Sequence, residues 1–137
     1  MSLRRALLAA GLAAMAFAAV TLIALEGVEV VQLRTTKPDG GVRTTRTWVA
    51  AADGALWIEA ATPERPFLRD LAARPDAELV RGGKPLPMRA TIVEGDAGHR
   101  KIRDLLRARY GWADRWIGML ADTSRSVAVR LDARAAP

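Results

Sequence analysis

Residues 37–48 read Lys-Pro-Asp-Gly-Gly-Val-Arg-Thr-Thr-Arg-Thr-Trp. A Gly-Gly turn leads into an extended segment with two arginines and three threonines, where most strands are rich in apolar residues. Alternation puts Val42, Thr44, Arg46 and Trp48 on one face and Arg43, Thr45, Thr47 and Val49 on the other. Whichever face turns inward brings hydroxyl and guanidinium donors with it, and buried donors require an acceptor. A phosphate or another anionic ligand group meets that need, because arginine can grip it bidentately while threonine hydroxyls add to the site. A two-sided edge strand with solvated arginines fits the same pattern equally well.

Other chemistries are poorly served. The 137 residues contain no cysteine, which excludes thiol catalysis, disulfides and Cys-ligated zinc. A single histidine, His99, argues against a His-based metal centre or a Ser-His-Asp triad, and no metal is expected. All 15 acidic and 19 of the 21 basic residues follow Leu25, so residues 26–137 carry a modest surplus of four positive charges. The arginines are scattered, with no helix-turn-helix, basic stripe or aromatic platform, and no nucleic-acid partner is expected.

These residues need a frame. Residues 6–25 hold no charge and follow Arg4 and Arg5, and a helix of that length spans about 30 Å, the thickness of a hydrocarbon core. The small-x-small pattern Ala16-Phe17-Ala18 is also that of a signal peptide, but the apolar run continues to Leu25, which favours an uncut single-pass anchor. The charges flanking it leave the side of the membrane open. The chain therefore divides into an anchor at 1–25 and one small domain at 26–137 that starts close to the bilayer.

Within the domain, strands are predicted at residues 28–35, 42–51 and 56–61, joined by the Lys37–Gly41 turn and an Asp53-Gly54 hairpin. A short helix follows Pro66, capped by Thr62 or Glu64, and ends at Pro75. Two more strands, 77–81 and 86–94, flank Gly82-Gly83, and Pro85 with Pro87 marks the start of the second as unpaired or at an edge. Asp96 caps a helix to Tyr110 with Ile102, Leu105, Leu106 and Tyr110 on its apolar face and Arg100, Arg103 and Arg107 opposite. A further helical piece carries Trp112, Trp116, Ile117 and Leu120, and a last strand spans 126–132. The order β-β-β-α-β-β-α-α-β is that of a mainly β, α+β domain: a small antiparallel barrel of about six strands with helical insertions.

In order and residues the chain resembles the split β-barrel flavin-binding superfamily, and within it the deazaflavin-dependent nitroreductase and quinone reductase family. The resemblance rests on Val31-Gln-Leu-Arg-Thr-Thr36, on Arg43-Thr-Thr45 after a glycine turn, and on Trp57-Ile-Glu-Ala-Ala-Thr62. It continues through Pro66-Phe-Leu-Arg-Asp-Leu-Ala-Ala-Arg-Pro75, Ala77-Glu-Leu-Val80 and Arg89-Ala-Thr-Ile-Val-Glu94, covering residues 28–132. It implies a flavin-type cofactor, either deazaflavin coenzyme F420 or FMN. Its phosphate would be held by Lys37, Arg43, Thr44, Thr45, Thr62 and Arg65, and its ring walled by Trp48 or Trp57. Such a cofactor carries the redox chemistry, which accords with the lack of a visible acid–base pair.

The resemblance implies a membrane-anchored reductase acting on a small apolar acceptor such as a quinone or nitro compound, as monomer or homodimer. Tyr110, Trp112 and Trp116 would line the acceptor pocket, although at helical spacing Trp112 and Trp116 equally suit a core or a membrane interface. The alternative is a binding module that holds flavin, haem or lipid on the same barrel without turnover. The chain departs from the family at Asp39, which would repel a phosphate unless turned away. It departs again in the 66–75 helix, where Phe67 or Leu68 and Asp70 replace the usual tryptophan and asparagine.

Overall fold

In the computed structural model, which describes residues 2–26 and 28–135, the elements follow the predicted order. A helix α1 (Leu3–Glu26) precedes β1 (Val30–Thr36), β2 (Val42–Ala52) and β3 (Ala55–Ala60). Then come α2 (Pro66–Ala73), β4 (Asp76–Arg81), β5 (Lys84–Val93), α3 (Gly95–Tyr110), α4 (Trp112–Leu120) and β6 (Val127–Ala133). The six strands close into an antiparallel barrel in the order β1-β2-β3-β6-β5-β4, with β4 returning to β1. The boundary expected between Leu25 and Glu26 falls at the last residue of α1, and Gly27 after it lies outside the described residues.

Turn chemistry sets the registers. Asp53 and Gly54, and again Gly82 and Gly83, all have positive φ, as a two-residue hairpin with the twist of its strands demands. In the second hairpin Arg81 opposes Lys84, so Pro85 and Pro87 fall at the alternate positions whose missing N–H would point away from β4. On that other side β6 starts pairing only at Met88, so neither proline interrupts a ladder.

Two apolar layers result. Inside the barrel Val31, Leu33, Ile58, Leu79, Val129 and Leu131 are fully buried, and α2 closes one mouth with Phe67, Leu68 and Leu71. Outside, α3 lays Ile102, Leu106 and Tyr110 over Ala50, Trp57 and Ala128. Val28, expected to open β1, belongs to this second layer instead: packing under the helix takes it from the ladder.

The caps differ from expectation. Arg65, not Thr62 or Glu64, stands at the N-cap of α2, with Pro66 in its first turn; Glu94, not Asp96, stands at that of α3. Neither cap makes a side-chain hydrogen bond, so both helices rely on packing for their placement.

At the start of α3, Gly98 touches the preceding strand so closely that a Cβ would lie 2.0 Å from the Val93 carbonyl oxygen. Backbone cannot yield as a side-chain tip can. Gly98→Ala should therefore destabilise the domain by about 1–3 kcal/mol through displacement of α3, read as a lowered unfolding midpoint in denaturant. An unchanged midpoint would contradict this contact.

Candidate cofactor-binding site

β2 and β3 are neighbours around the barrel, yet they pair only from Val49↔Ile58 to Ala52↔Ala55. Residues 42–48 of β2 pair with β1 alone, while Glu59 and Ala60 pair with β6 alone. The facing edges of two adjacent strands are therefore open over several residues, and their backbone N–H and C=O groups lack ladder partners there. A slot of about 100 Å³ occupies the gap, lined by Thr45, Arg46, Thr47, Glu59, Ala61, Arg65 and Phe67. It shares Thr47, Glu59, Ala61 and Arg65 with a groove of about 340 Å³ that extends past Trp48 and Leu106 to Ile117, Gly118 and Leu25. One end of the combined cleft is polar and basic; the other is apolar.

The inward face of β2 carries Arg43, Thr45 and Thr47, directly opposite Thr35, Leu33 and Val31 of β1. Arg43 finds its acceptor within the protein: its Nε donates to Asp70 Oδ2 at 2.7 Å, and the Thr35 hydroxyl donates to the same oxygen at 2.8 Å. Asp70, buried on α2, thereby ties the helix plug to the β1–β2 hairpin. Burial would push its carboxyl up, but the hydrogen bonds from Arg43 and Thr35 and the positive charge of Arg43 outweigh it and hold the group below the usual range. Its Oδ1 is buried without a hydrogen-bond partner among the described residues. Part of the donor capacity that pointed to a phosphate is thus spent on an internal carboxylate.

Arg103, expected on the solvated face of α3, is instead mostly buried beside the groove. It donates to both oxygens of Glu59 (2.9 and 3.1 Å) and to both of Asp114 (2.7 Å each). Burial works against its charge, but the two carboxylates prevail and hold its proton more tightly than usual. This clamp joins β3, α3 and α4 along one wall. Sequence periodicity hides it, because Glu59 and Asp114 are remote in the chain.

The other predicted residues are dispersed. Arg65 stands where slot and groove meet, with no ion-pair partner among the described residues. Thr45 lines the slot and Trp48 the groove, while Thr44 is exposed on the opposite face. Lys37 lies in the turn beside Asp39, whose carboxylate accepts from the Gly41 N–H and sits 3.7 Å from Lys37 Nζ. Thr62 lies in the loop after β3, its carbonyl accepting from the Arg65 N–H. Trp57 is buried in the outer layer, its indole donating to the Ala52 carbonyl, and it lines neither slot nor groove. Tyr110 is also buried, donating to the Val49 carbonyl at 2.5 Å; Trp112 is exposed and Trp116 packs on α1. None of these last three lines the groove.

Two larger hollows lie elsewhere on the barrel, of about 590 and 620 Å³. The charged side chains lining the first pair with one another, Arg34 with Glu78 and Arg134 with Asp76, and the second is almost wholly aliphatic. Neither combines open strand edges with an uncommitted cation.

Barrel order, helix plug and parted strands together define a six-stranded antiparallel split barrel. No family model and no curated protein matches the chain, but solved structures do. An F420 reductase is 24% identical with a TM-score of 0.54, the match covering 78% of this chain and 87% of that one. A FAD-binding protein of Mesorhizobium loti is 18% identical (TM-score 0.58; 78% and 82%). A haem storage protein of Vibrio cholerae is 14% identical (0.60; 79% and 83%). At these identities the likeness establishes the shared fold.

Asp70 supplies a pH test. Its folded pKa is depressed, so its stabilisation is present in full above the unfolded value of about 3.9 and is lost as pH falls through the lower folded value. Stability should be nearly flat above about pH 5 and decline below about pH 4. Asp70→Asn should be less stable at neutral pH and show a shallower acid decline in thermal unfolding; parallel acid limbs would contradict the role of this carboxylate. At the clamp, Arg103→Met strands two carboxylates and should cost about 3–5 kcal/mol, more than Asp114→Asn, as measured by denaturant unfolding.

Proposed function

We propose that this protein is a membrane-anchored reductase that binds a flavin-type cofactor in the cleft between β2 and β3 and reduces a small apolar acceptor such as a quinone or nitro compound. The observation that carries this reading is the opening of the barrel between those strands, with the guanidinium of Arg65, unpaired among the described residues, where slot and groove join. Similarity of fold to an F420 reductase and to a FAD-binding protein supports it.

The residues present suit such a group. Open strand edges offer N–H donors and C=O acceptors to the polar rim of a fused ring, as a ladder partner would. Arg65 and the Thr45 hydroxyl lie at the polar end, where an anionic tail needs fixed donors. The Nη atoms of Arg43, which have no hydrogen-bond partner among the described residues, add positive charge along the inward face, while Lys37 in the adjoining turn is paired with Asp39. Trp48, Leu106 and Ile117 give the other end an apolar lining. The cofactor would supply hydride or electron transfer when bound; the protein orients it and shields it from water. With the anchor formed by α1, the domain meets its acceptor at the bilayer.

The second reading is a non-catalytic module holding flavin, haem or lipid, and one observation favours it. Of the three carboxylates lining the groove, Glu59 and Asp114 are engaged by Arg103 and the exposed Asp122 accepts from the Ser124 N–H, so among the described residues no buried, uncommitted acid stands there to protonate a reduced acceptor. In the reductase reading that proton comes from solvent.

Fluorescence titration with FMN and with coenzyme F420, followed by oxidation of the reduced cofactor by a soluble quinone, distinguishes the two readings. Micromolar or tighter binding with acceptor-dependent oxidation is expected; binding without oxidation establishes the module, and binding of neither overturns both flavin readings. Arg65→Ala should weaken cofactor binding by about 1.5–3 kcal/mol, the range for a hydrogen bond to a charged group. An unchanged Kd would remove Arg65 from the site.

A further inference from the structure

α4 has two faces. Ala113 and Asp114 are buried towards the barrel, Asp114 in the Arg103 clamp. Trp112, Trp116, Met119 and Leu120 recur at i, i+4, i+7 and i+8, the spacing of one continuous apolar stripe. That stripe is turned out of the domain: Trp112 is 54% exposed, Met119 73% and Leu120 50%. A soluble surface rarely leaves so much contiguous apolar area to water.

The stripe adjoins α1. Trp116 packs on Phe17 with ring centroids 5.4 Å apart, and its Nε1 donates to the Thr21 hydroxyl at 2.8 Å. The Thr21 hydroxyl in turn donates to the Phe17 carbonyl at 2.9 Å. Phe17 and Thr21 stand about two turns and one turn before Leu25, the end of the candidate span Leu3–Leu25. They are therefore about 12 and 6 Å inside it. If α1 spans a bilayer, the side chain that meets them lies below the headgroups as well. The Trp116 hydrogen bond suits that depth, because an indole N–H in hydrocarbon needs a protein acceptor. Arg115 borders the stripe, exposed and without an ion-pair partner among the described residues, on a stem long enough to reach lipid phosphates.

We propose that α4 is a second membrane element, lying in one leaflet against α1 with Trp112, Met119 and Leu120 facing lipid. This rests on the reading of α1 as a membrane anchor. Leu25 of α1 and Ile117, Gly118 and Ala121 of the α4 end form part of the groove wall. Seated in this way, the apolar end of the groove opens to the bilayer, and a lipid-soluble acceptor reaches the cleft laterally without crossing water.

The absence of cysteine permits single nitroxide labels on the full chain. Met119→Cys, Leu12→Cys and Arg100→Cys would be reconstituted in liposomes of zwitterionic and anionic phospholipid. Collision of each label with oxygen, which concentrates in lipid, would be compared with that of a water-soluble nickel chelate. All three positions are exposed, so the labels should not disturb folding. The oxygen-to-nickel ratio is expected to be high at Leu12, raised several-fold at Met119 over Arg100, and low at Arg100. A high ratio at Leu12 with a water-like ratio at Met119 would overturn the proposal and leave the anchor standing. Water-like ratios at both would overturn the anchor and the proposal together. Spin–spin broadening at Met119 without a raised ratio would overturn it in favour of a second copy covering this face.

Discussion

Once β2 and β3 part at the Val49↔Ile58 pair, each must leave one backbone edge of the barrel without a strand partner. Such edges are costly when dry, so they have to meet water or a ligand. The surrounding elements are arranged around that gap. α2 covers the adjacent mouth with Phe67, Leu68 and Leu71, and Asp70 ties it to Arg43 and Thr35 on the far side of the opening. The Arg103 clamp steadies Glu59, next to the opening on β3, against α3 and α4. The slot is held open from both sides by buried ion pairs rather than by loops. Removing one partner from such a pair leaves the other charge uncompensated.

The fold was largely legible because its turns and periods are local. Asp53-Gly54 and Gly82-Gly83 announce their hairpins, and the alternation of Met88 and Ala90, or of Val127, Val129 and Leu131, marks the barrel interior. The site was legible only in part, because it is made by contacts between segments far apart in the chain. The Arg-Thr strand was rightly singled out as carrying inward-facing donors. The acceptor for Arg43 proved to be a carboxylate on α2, at the residue where the family resemblance expects asparagine. No spacing rule links Arg43 to Asp70, or Arg103 to Glu59 and Asp114. The helical periodicity that placed Arg103 opposite Ile102 and Leu106 could not register that a neighbouring helix and strand would bury it.

The tryptophans show the same limit. Trp48, Trp57, Trp112 and Trp116 are indistinguishable as candidates for a ring wall by residue type, yet the structure gives them different surroundings. Trp57 lies under α3 with Lys101 and Arg130 over its ring; Trp48 flanks the groove and packs on Tyr110. Trp116 packs on α1, while Trp112, on the same stripe of α4, is exposed. An aromatic finds its role from what the fold brings against it, and here α1 and α4 meet beside the apolar end of the same cleft.

The most direct test of the cleft is amide hydrogen exchange on the full chain, with and without FMN or coenzyme F420. If the ligand completes the open edges, exchange should slow at residues 44–48 and 59–62 and remain unchanged in the Gly82-Gly83 hairpin and around Leu86 and Leu131. Protection at those distant positions, with the β2 and β3 edges still exchanging freely, would contradict the account.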